Sequence, residues 1–300
     1  MSNFLKKSKK LTIGVLGIID ILSKARLFTK YESVLVFHEI SDTPSQLSLR
    51  NKTNTSTKLL TKLMNEYDTG NWMSTLRLKF TFDDGYLLPF YILNRLEELN
   101  IPTTFFVNAL TIDTGLDYQI VGKSQPSTEG DIFKLSTYEA RKSLKSLKRN
   151  YKENDLVFMQ GERLNWSTVK DLYRRQFKIG DHFLIHLDIR MCSSALIESY
   201  LDESALLFTQ NDIVVGEFAL PYGGGGKKEL QEILSFGFDQ VYGGSAWRVI
   251  RSQSGCIPRV QITEDYDNLL MLRGELLLNR LTQSILELLR DKQLEYGSSN

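Results

Sequence analysis

Leu78-Lys-Phe-Thr-Phe-Asp-Asp-Gly85 is followed by a helical pattern from Leu88 to Asn100, by Pro102, and by Thr103-Thr-Phe-Phe-Val107. A short apolar run, an amphipathic helix closed by proline, and a second apolar run predict a strand–helix–strand unit. Outward from it the alternation continues. Ser33-Val-Leu-Val-Phe37 reads as a strand before the unit. After it come a helix over Trp166–Arg175, a strand at Phe177-Lys-Ile179 and a helix over Ser194–Thr209. A strand over Ile213–Leu220, a helix over Lys227–Phe236 and a strand beginning Gln240-Val-Tyr242 complete the series. Strands alternating with helices predict an α/β fold with a mainly parallel sheet or a barrel. Between the strands, Gly122–Gly130 reads as a loop and Leu135–Lys152 as a lysine-rich solvated helix.

In parallel α/β folds the reactive residues gather where strands run into loops at their C-terminal ends. The chain has three histidines. His38 closes the first strand, and His182 and His186 follow the strand at Phe177–Ile179. Asp83 and Asp84 close the strand ending at Phe82. The spacing His182-x-x-x-His186 would set both imidazoles on one side of a helical turn. Two imidazoles and a carboxylate suit a divalent transition metal, zinc by default, with cobalt, nickel or another divalent ion also able to fill such a site. Phe183 stands where a zinc protease of the His-Glu-x-x-His type needs glutamate, so that reading fails. A non-haem iron oxygenase uses the same ligand types and stays open. If strand geometry persists, Asp83 and Asp84 point in opposite directions; they could also diverge through the turn at Gly85. One would bind metal while the other faces a reacting water, a division of labour that suits amide or ester hydrolysis.

These residues carry a family resemblance. Thr81-Phe-Asp-Asp-Gly85 with Ile101-Pro-Thr-Thr-Phe-Phe-Val107 resembles the opening motif of the polysaccharide deacetylases, carbohydrate esterase family 4. Trp166 to His186 resembles the second motif with its leading helix, and Phe218-Ala-Leu-Pro-Tyr-Gly223 the third. Gly237-Phe-Asp and Ile257-Pro-Arg-Val260 resemble later landmarks, so the match runs from about Ser33 to Gln261. The resemblance implies a distorted (β/α)7-type barrel. It implies Asp83 as general base, Asp84, His182 and His186 as metal ligands, and the Tyr222 backbone N–H as part of an oxyanion hole. Departures are informative. No histidine follows His186, whereas many members take their acid from a late histidine. Val36-Phe-His-Glu-Ile40 instead resembles a subgroup with an early Tyr-His-x-Ile-like motif, which includes poly-N-acetylglucosamine deacetylases, and His38 inherits the acid's role from it. Ala219 stands where many members place an arginine that steadies the catalytic aspartate, and Arg259 is the substitute. Phe183 replaces the usual Ser or Thr, with the expectation of a narrower site or altered support.

The expected activity is removal of acetyl groups from N-acetylated sugars of a bacterial surface polysaccharide or its lipid-linked precursor. An O-acetyl esterase is a close variant, and a non-catalytic carbohydrate-binding or assembly protein on the same fold is the reading from another class. Tyr86 and Trp247 are candidates to stack on sugar faces, with core packing the expectation for Trp166. Glu39 and Asp181 flank His38 and His182 as support or as solvated charges. A net charge of +1 gives no footprint for nucleic-acid binding. Gly223-Gly-Gly-Gly226 before Lys227 lacks the phosphate-loop spacing and reads as a turn into a helix.

Residues 1–30 form a separate segment, ahead of a domain spanning 31–300. Lys6, Lys7, Lys9 and Lys10 precede an apolar run from Leu11 to Leu22 interrupted by Asp20. Three readings fit: a signal-like leader, an interfacial helix in peripheral contact with a membrane, or a helix packed on the domain. Cys192 and Cys256 form neither a metal spacing nor a disulfide framework and read as buried free thiols. They permit a cytosolic site, so the expected location is membrane-associated, on the cytoplasmic face over the exported one. From about Asn268 to Leu294, leucines at helical spacing predict one or two amphipathic helices packed on the domain.

Overall fold

The computed structural model describes residues 3–23, 29–116, 142, 152–246, 249, 255–267 and 269–297. The expected loop 122–130, most of the expected helix 135–152, and Trp247 lie outside the described residues. Seven strands form a sheet in the order β6-β5-β4-β3-β2-β1-β7. They are β1 (Glu32–Phe37), β2 (Arg77–Phe82), β3 (Thr103–Val107), β4 (Lys178–Asp181), β5 (Glu217–Ala219), β6 (Gln240–Tyr242) and β7 (Arg259–Gln261), and every pairing is parallel. Ile257, just before β7, bridges Tyr242 of β6 in the parallel sense and so nearly closes the ring. The architecture is the distorted (β/α)7 barrel.

Strands covered on both faces are apolar on both faces. Outward, Phe80, Phe37, Phe82 and Phe105 follow one another at ring separations of 5.1 to 5.2 Å, and Phe177 meets Phe105 edge-on at 5.5 Å. Helices α3 (Thr57–Asp68), α4 (Phe90–Glu98), α7 (Trp166–Arg174) and α8 (Ser194–Gln210) supply leucines and isoleucines to the same core. Shorter helices are α2 (Gln46–Asn51), α5 (Ala109–Thr114), α6 (Glu153–Gln160) and α9 (Lys227–Ser235). Trp166 joins the core, edge-on to Phe208. Inward, Val34, Phe106, Ala219 and Tyr242 form a small second cluster. A Cβ on Gly180 would come within 2.3 Å of the Phe106 ring, so β4 needs glycine there to admit that ring. Below this cluster Lys79 Nζ lies 2.6 Å from Glu217 Oε2 and from the Tyr242 hydroxyl, and Thr104 donates to the same carboxylate at 2.9 Å. Lys79 and Glu217, both buried, thus partner each other, as burial demands.

Two expectations are corrected. The strand expected over Ile213–Leu220 is confined to Glu217–Ala219, because the Ile213 N–H is spent on Phe208 O at the end of α8. The strand at Phe177–Ile179 sits later, at Lys178–Asp181, because the Phe177 N–H closes α7 on Leu172 O. Helices α2 and α3 were not expected; they are capped by Ser45 and Ser56, each accepting a backbone N–H.

Helix α1 (Asn3–Leu22) lies against α10 (Leu269–Gly297). Ile13 and Asp20 are buried there, and Asp20 Oδ1 accepts from Arg280 Nη2 at 2.7 Å, both side chains fully removed from solvent. The helices touch backbone to backbone: a Cβ on Gly274 would stand 1.9 Å from the carbonyl oxygen of Ile13. The described part of the segment packs on the domain along this inner side. The leucine-rich C-terminal stretch is one helix. Cys256 is buried and Cys192 partly so, neither in a disulfide, and burial pushes both thiols up to about 12.

Candidate active site

The C-terminal ends of the strands surround a cavity of about 470 Å³. His38 enters it after β1, Asp83 and Asp84 after β2, His182 and His186 after β4, Tyr222 after β5, and Arg259 from β7. Strand geometry does not persist through the two aspartates. Asp84 takes φ +68°, the left-handed region, and Gly85 repeats it, so both carboxylates face the same cavity instead of opposite sides.

Asp84 Oδ1 lies 3.3 Å from His182 Nε2 and 3.2 Å from His186 Nε2. The expected helical turn carrying these histidines is replaced by an irregular loop. Phe183 has φ +70°, which breaks the helical path directly after His182. The Asn108 amide holds the loop by donating to the carbonyls of His182 and Phe183. The phenyl ring of Phe183 turns away from the cavity onto Tyr200 and Phe218, so it does not narrow the site. His182 Nδ1 lies 2.8 Å from the carbonyl oxygen of Ala219. That nitrogen must donate, which leaves Nε2 as a lone-pair donor aimed at Asp84.

These groups fit a metal. Asp84, His182 and His186 each offer one ligand atom, all within 4.8 Å of one another, and all three residues are buried. Asp84 Oδ1 and His182 Nε2 have no hydrogen-bond partner. Buried polar atoms are normally paired, so a carboxylate oxygen and an imidazole nitrogen left bare side by side mark a cation site. Burial alone would raise the Asp84 carboxyl, but His186, His182 and His38 outweigh it and hold the group well below its ordinary value.

Asp83 stands beside this triad, with Oδ2 3.7 Å from His182 Nε2. Its Oδ1 accepts from Arg259 Nη1 at 2.7 Å, and Arg259 Nε donates to Gly243 O at 3.2 Å. Burial pushes the Asp83 carboxyl up, but Arg259, His182 and His38 push it further down, so it is a carboxylate at neutral pH. His38 is half-buried, and its Nδ1, itself shielded from solvent, has no hydrogen-bond partner. Burial lowers its pKa more than Asp84 and Asp83 raise it. Tyr222 has φ +56° and is half exposed at the rim, its ring 4.4 Å from that of His186.

Two residues that flank the histidines point elsewhere. Glu39 accepts from the Ser45 N–H and hydroxyl, fixing the loop after β1. Asp181 is buried, and burial pushes its carboxyl up to about 7 against the pull of Ser204 and His182. Tyr86 is buried under the Arg163 guanidinium, 3.6 Å above its ring, and lines a separate cavity with Glu39, Leu88 and Phe90. It is thus not among the residues facing the metal-type site. Asn51, Thr53, Ser245 and Gln261 line the catalytic cavity and were not expected from sequence. Gln261 ends a strand, and Asn108 follows one, so the strand-end rule could have found both; nothing in the pattern marks Asn51 or Thr53.

The family model for polysaccharide deacetylase matches residues 75–241, more than half of the chain and the span that carries Asp83, Asp84, His182, His186 and Tyr222. The chain belongs to the polysaccharide deacetylase family. Carbohydrate N-deacetylation is the activity that goes with this membership. Solved structures share the fold at low identity. IcaB from Ammonifex degensii is 15% identical with a TM-score of 0.52, covering 81% of this chain and 97% of that one. The Streptococcus pyogenes deacetylase PplD, in complex with acetate, is 12% identical at 0.53, covering 81% and 97%. A de-N-acetylase from Aggregatibacter actinomycetemcomitans is 14% identical at 0.52, covering 81% and 99%. No curated protein matched the chain by sequence.

Proposed function

We propose that this deacetylase removes N-acetyl groups from the sugars of a bacterial surface polysaccharide or its lipid-linked precursor, with one divalent metal ion, zinc first among candidates. The observation that carries the reading is the buried Asp84–His182–His186 triad, in which Asp84 Oδ1 and His182 Nε2 have no hydrogen-bond partner, beside an ionised, arginine-held Asp83. A divalent ion on the triad would polarise the acetyl carbonyl and acidify a water. The chain's own groups do the rest. Asp83, fixed by Arg259, takes the proton from the attacking water. The backbone N–H of Tyr222, a residue lining the cavity, would steady the developing oxyanion. His38, neutral at rest, relays to the departing amine the proton that Asp83 has taken from the water.

The test is acetate release from N-acetylglucosamine oligomers by chelator-stripped protein, with and without added zinc. Release that zinc restores supports the reading. Zinc binding without release favours the non-catalytic binding protein, and preference for O-acetylated substrates favours the esterase. His38→Ala is expected to lower turnover by about a hundredfold while zinc content, measured by atomic emission, is unchanged. Loss of zinc in that variant would make His38 a ligand instead of the acid.

A further inference from the structure

Helix α1 is apolar on two sides. Its inner side, Ile13, Gly17 and Asp20, is taken up by α10. On its outer side Leu11, Val15, Ile18 and Leu22 are 72%, 48%, 49% and 78% exposed, and Ile19 beside them is also exposed. The spacing 11, 15, 18, 22 is a single helical row. A helix apolar all round is normally covered all round, and a continuous exposed row of this kind marks a surface that meets something.

Charge says what it meets. The first nineteen residues contain Lys6, Lys7, Lys9 and Lys10 and no acidic residue. The first acid, Asp20, is consumed by Arg280 in the interior. Basic residues leading into an apolar row complement an anionic phospholipid surface, with lysines among headgroups and aliphatic side chains at the acyl boundary. Among the described residues no helix is long and apolar enough to cross a membrane, so the contact would lie along the surface.

Position adds a consequence. Ile13 packs against Ala246 and Leu278. Ala246 directly follows Gly243, Gly244 and Ser245, which line the catalytic cavity. The helix is therefore braced on the loop that forms one wall of the site. We propose that α1 is a membrane foot: its outer row docks on an anionic bilayer and keeps the catalytic cavity beside the lipid surface, where acetylated sugars held at that surface are taken. The substrate half rests on the deacetylase reading; the docking half does not.

The experiment measures sedimentation of the full chain with vesicles of phosphatidylcholine alone or with a third phosphatidylglycerol, in the absence of sugar. Binding to the anionic vesicles, weak binding to the neutral ones, and a loss of at least about tenfold in Val15→Ser/Ile18→Ser are expected. Both positions are solvent-facing, and acetate release from a soluble oligomer should be unchanged in the double variant. Failure of the wild-type protein to sediment with either vesicle, or equal sedimentation of the variant, overturns the foot. So does a wild-type dimer that the double variant splits, without vesicle binding, which would assign the row to a second copy of this chain. Vesicle binding with no acetate release from any substrate would leave the foot standing and remove the deacetylase reading.

Discussion

Replacing Asp83 by asparagine should reduce acetate release by about a thousandfold while zinc remains at its wild-type content. The amide keeps the volume and an oxygen that can still accept from Arg259 Nη1, so the cavity wall and the arginine stay in place. What disappears is the capacity to take a proton. In the wild-type protein that capacity is secured against burial: Arg259, His182 and His38 together hold the carboxyl below its ordinary value although it is almost completely enclosed. The metal-type triad uses Asp84, not Asp83, so metal content separates the two aspartates. Retained activity in Asp83→Asn would remove Asp83 as the base. Lost zinc would show that both aspartates belong to the ion.

The second large effect concerns stability. Asp20→Ala should destabilise the chain by about 3–5 kcal/mol, because it removes the carboxylate from a fully buried ion pair and leaves the Arg280 charge there without it, though still hydrogen-bonded to Leu276 O. The cost lies in the uncompensated buried charge more than in the lost attraction. A paired substitution, Asp20→Leu with Arg280→Met, should therefore recover most of the loss, since apolar replacements of buried ion pairs are commonly neutral or better. Thermal or denaturant melting of the single and paired variants checks both statements. An unchanged midpoint in Asp20→Ala would contradict the packing of α1 on α10.

The barrel was legible because its strands are short runs of apolar and aromatic residues, and both sheet faces are covered. The catalytic groups were legible because they stand where those runs stop: His38 one residue past β1, Asp83 and Asp84 directly past β2, His182 directly past β4. Spacing was a poorer guide than placement. His182 and His186 suggested a helical turn, yet the left-handed Phe183 makes a loop that still converges on Asp84. No local pattern could anticipate that Asp84 would also be left-handed and swing both carboxylates to one side. Ile213–Val215 read as strand because they are apolar, but hydrogen bonding to a neighbour decides strand identity, and β5 begins at Glu217. Nothing local marks Lys79 and Glu217 as partners; the closing barrel places them against each other. Asp20, an anomaly within an apolar run, made sense only once Arg280 was beside it.

The pairing of Asp20 with Arg280 spans 260 residues of sequence. A ribosome adding about 5–20 residues per second needs on the order of ten to fifty seconds to make the second partner after the first. Through that interval Asp20 has no Arg280 to meet and Ile13 no Leu278 to pack on. The barrel strands can associate during synthesis, but the clasp between α1 and α10 closes last, and until then the helix is free to be held by whatever it encounters first.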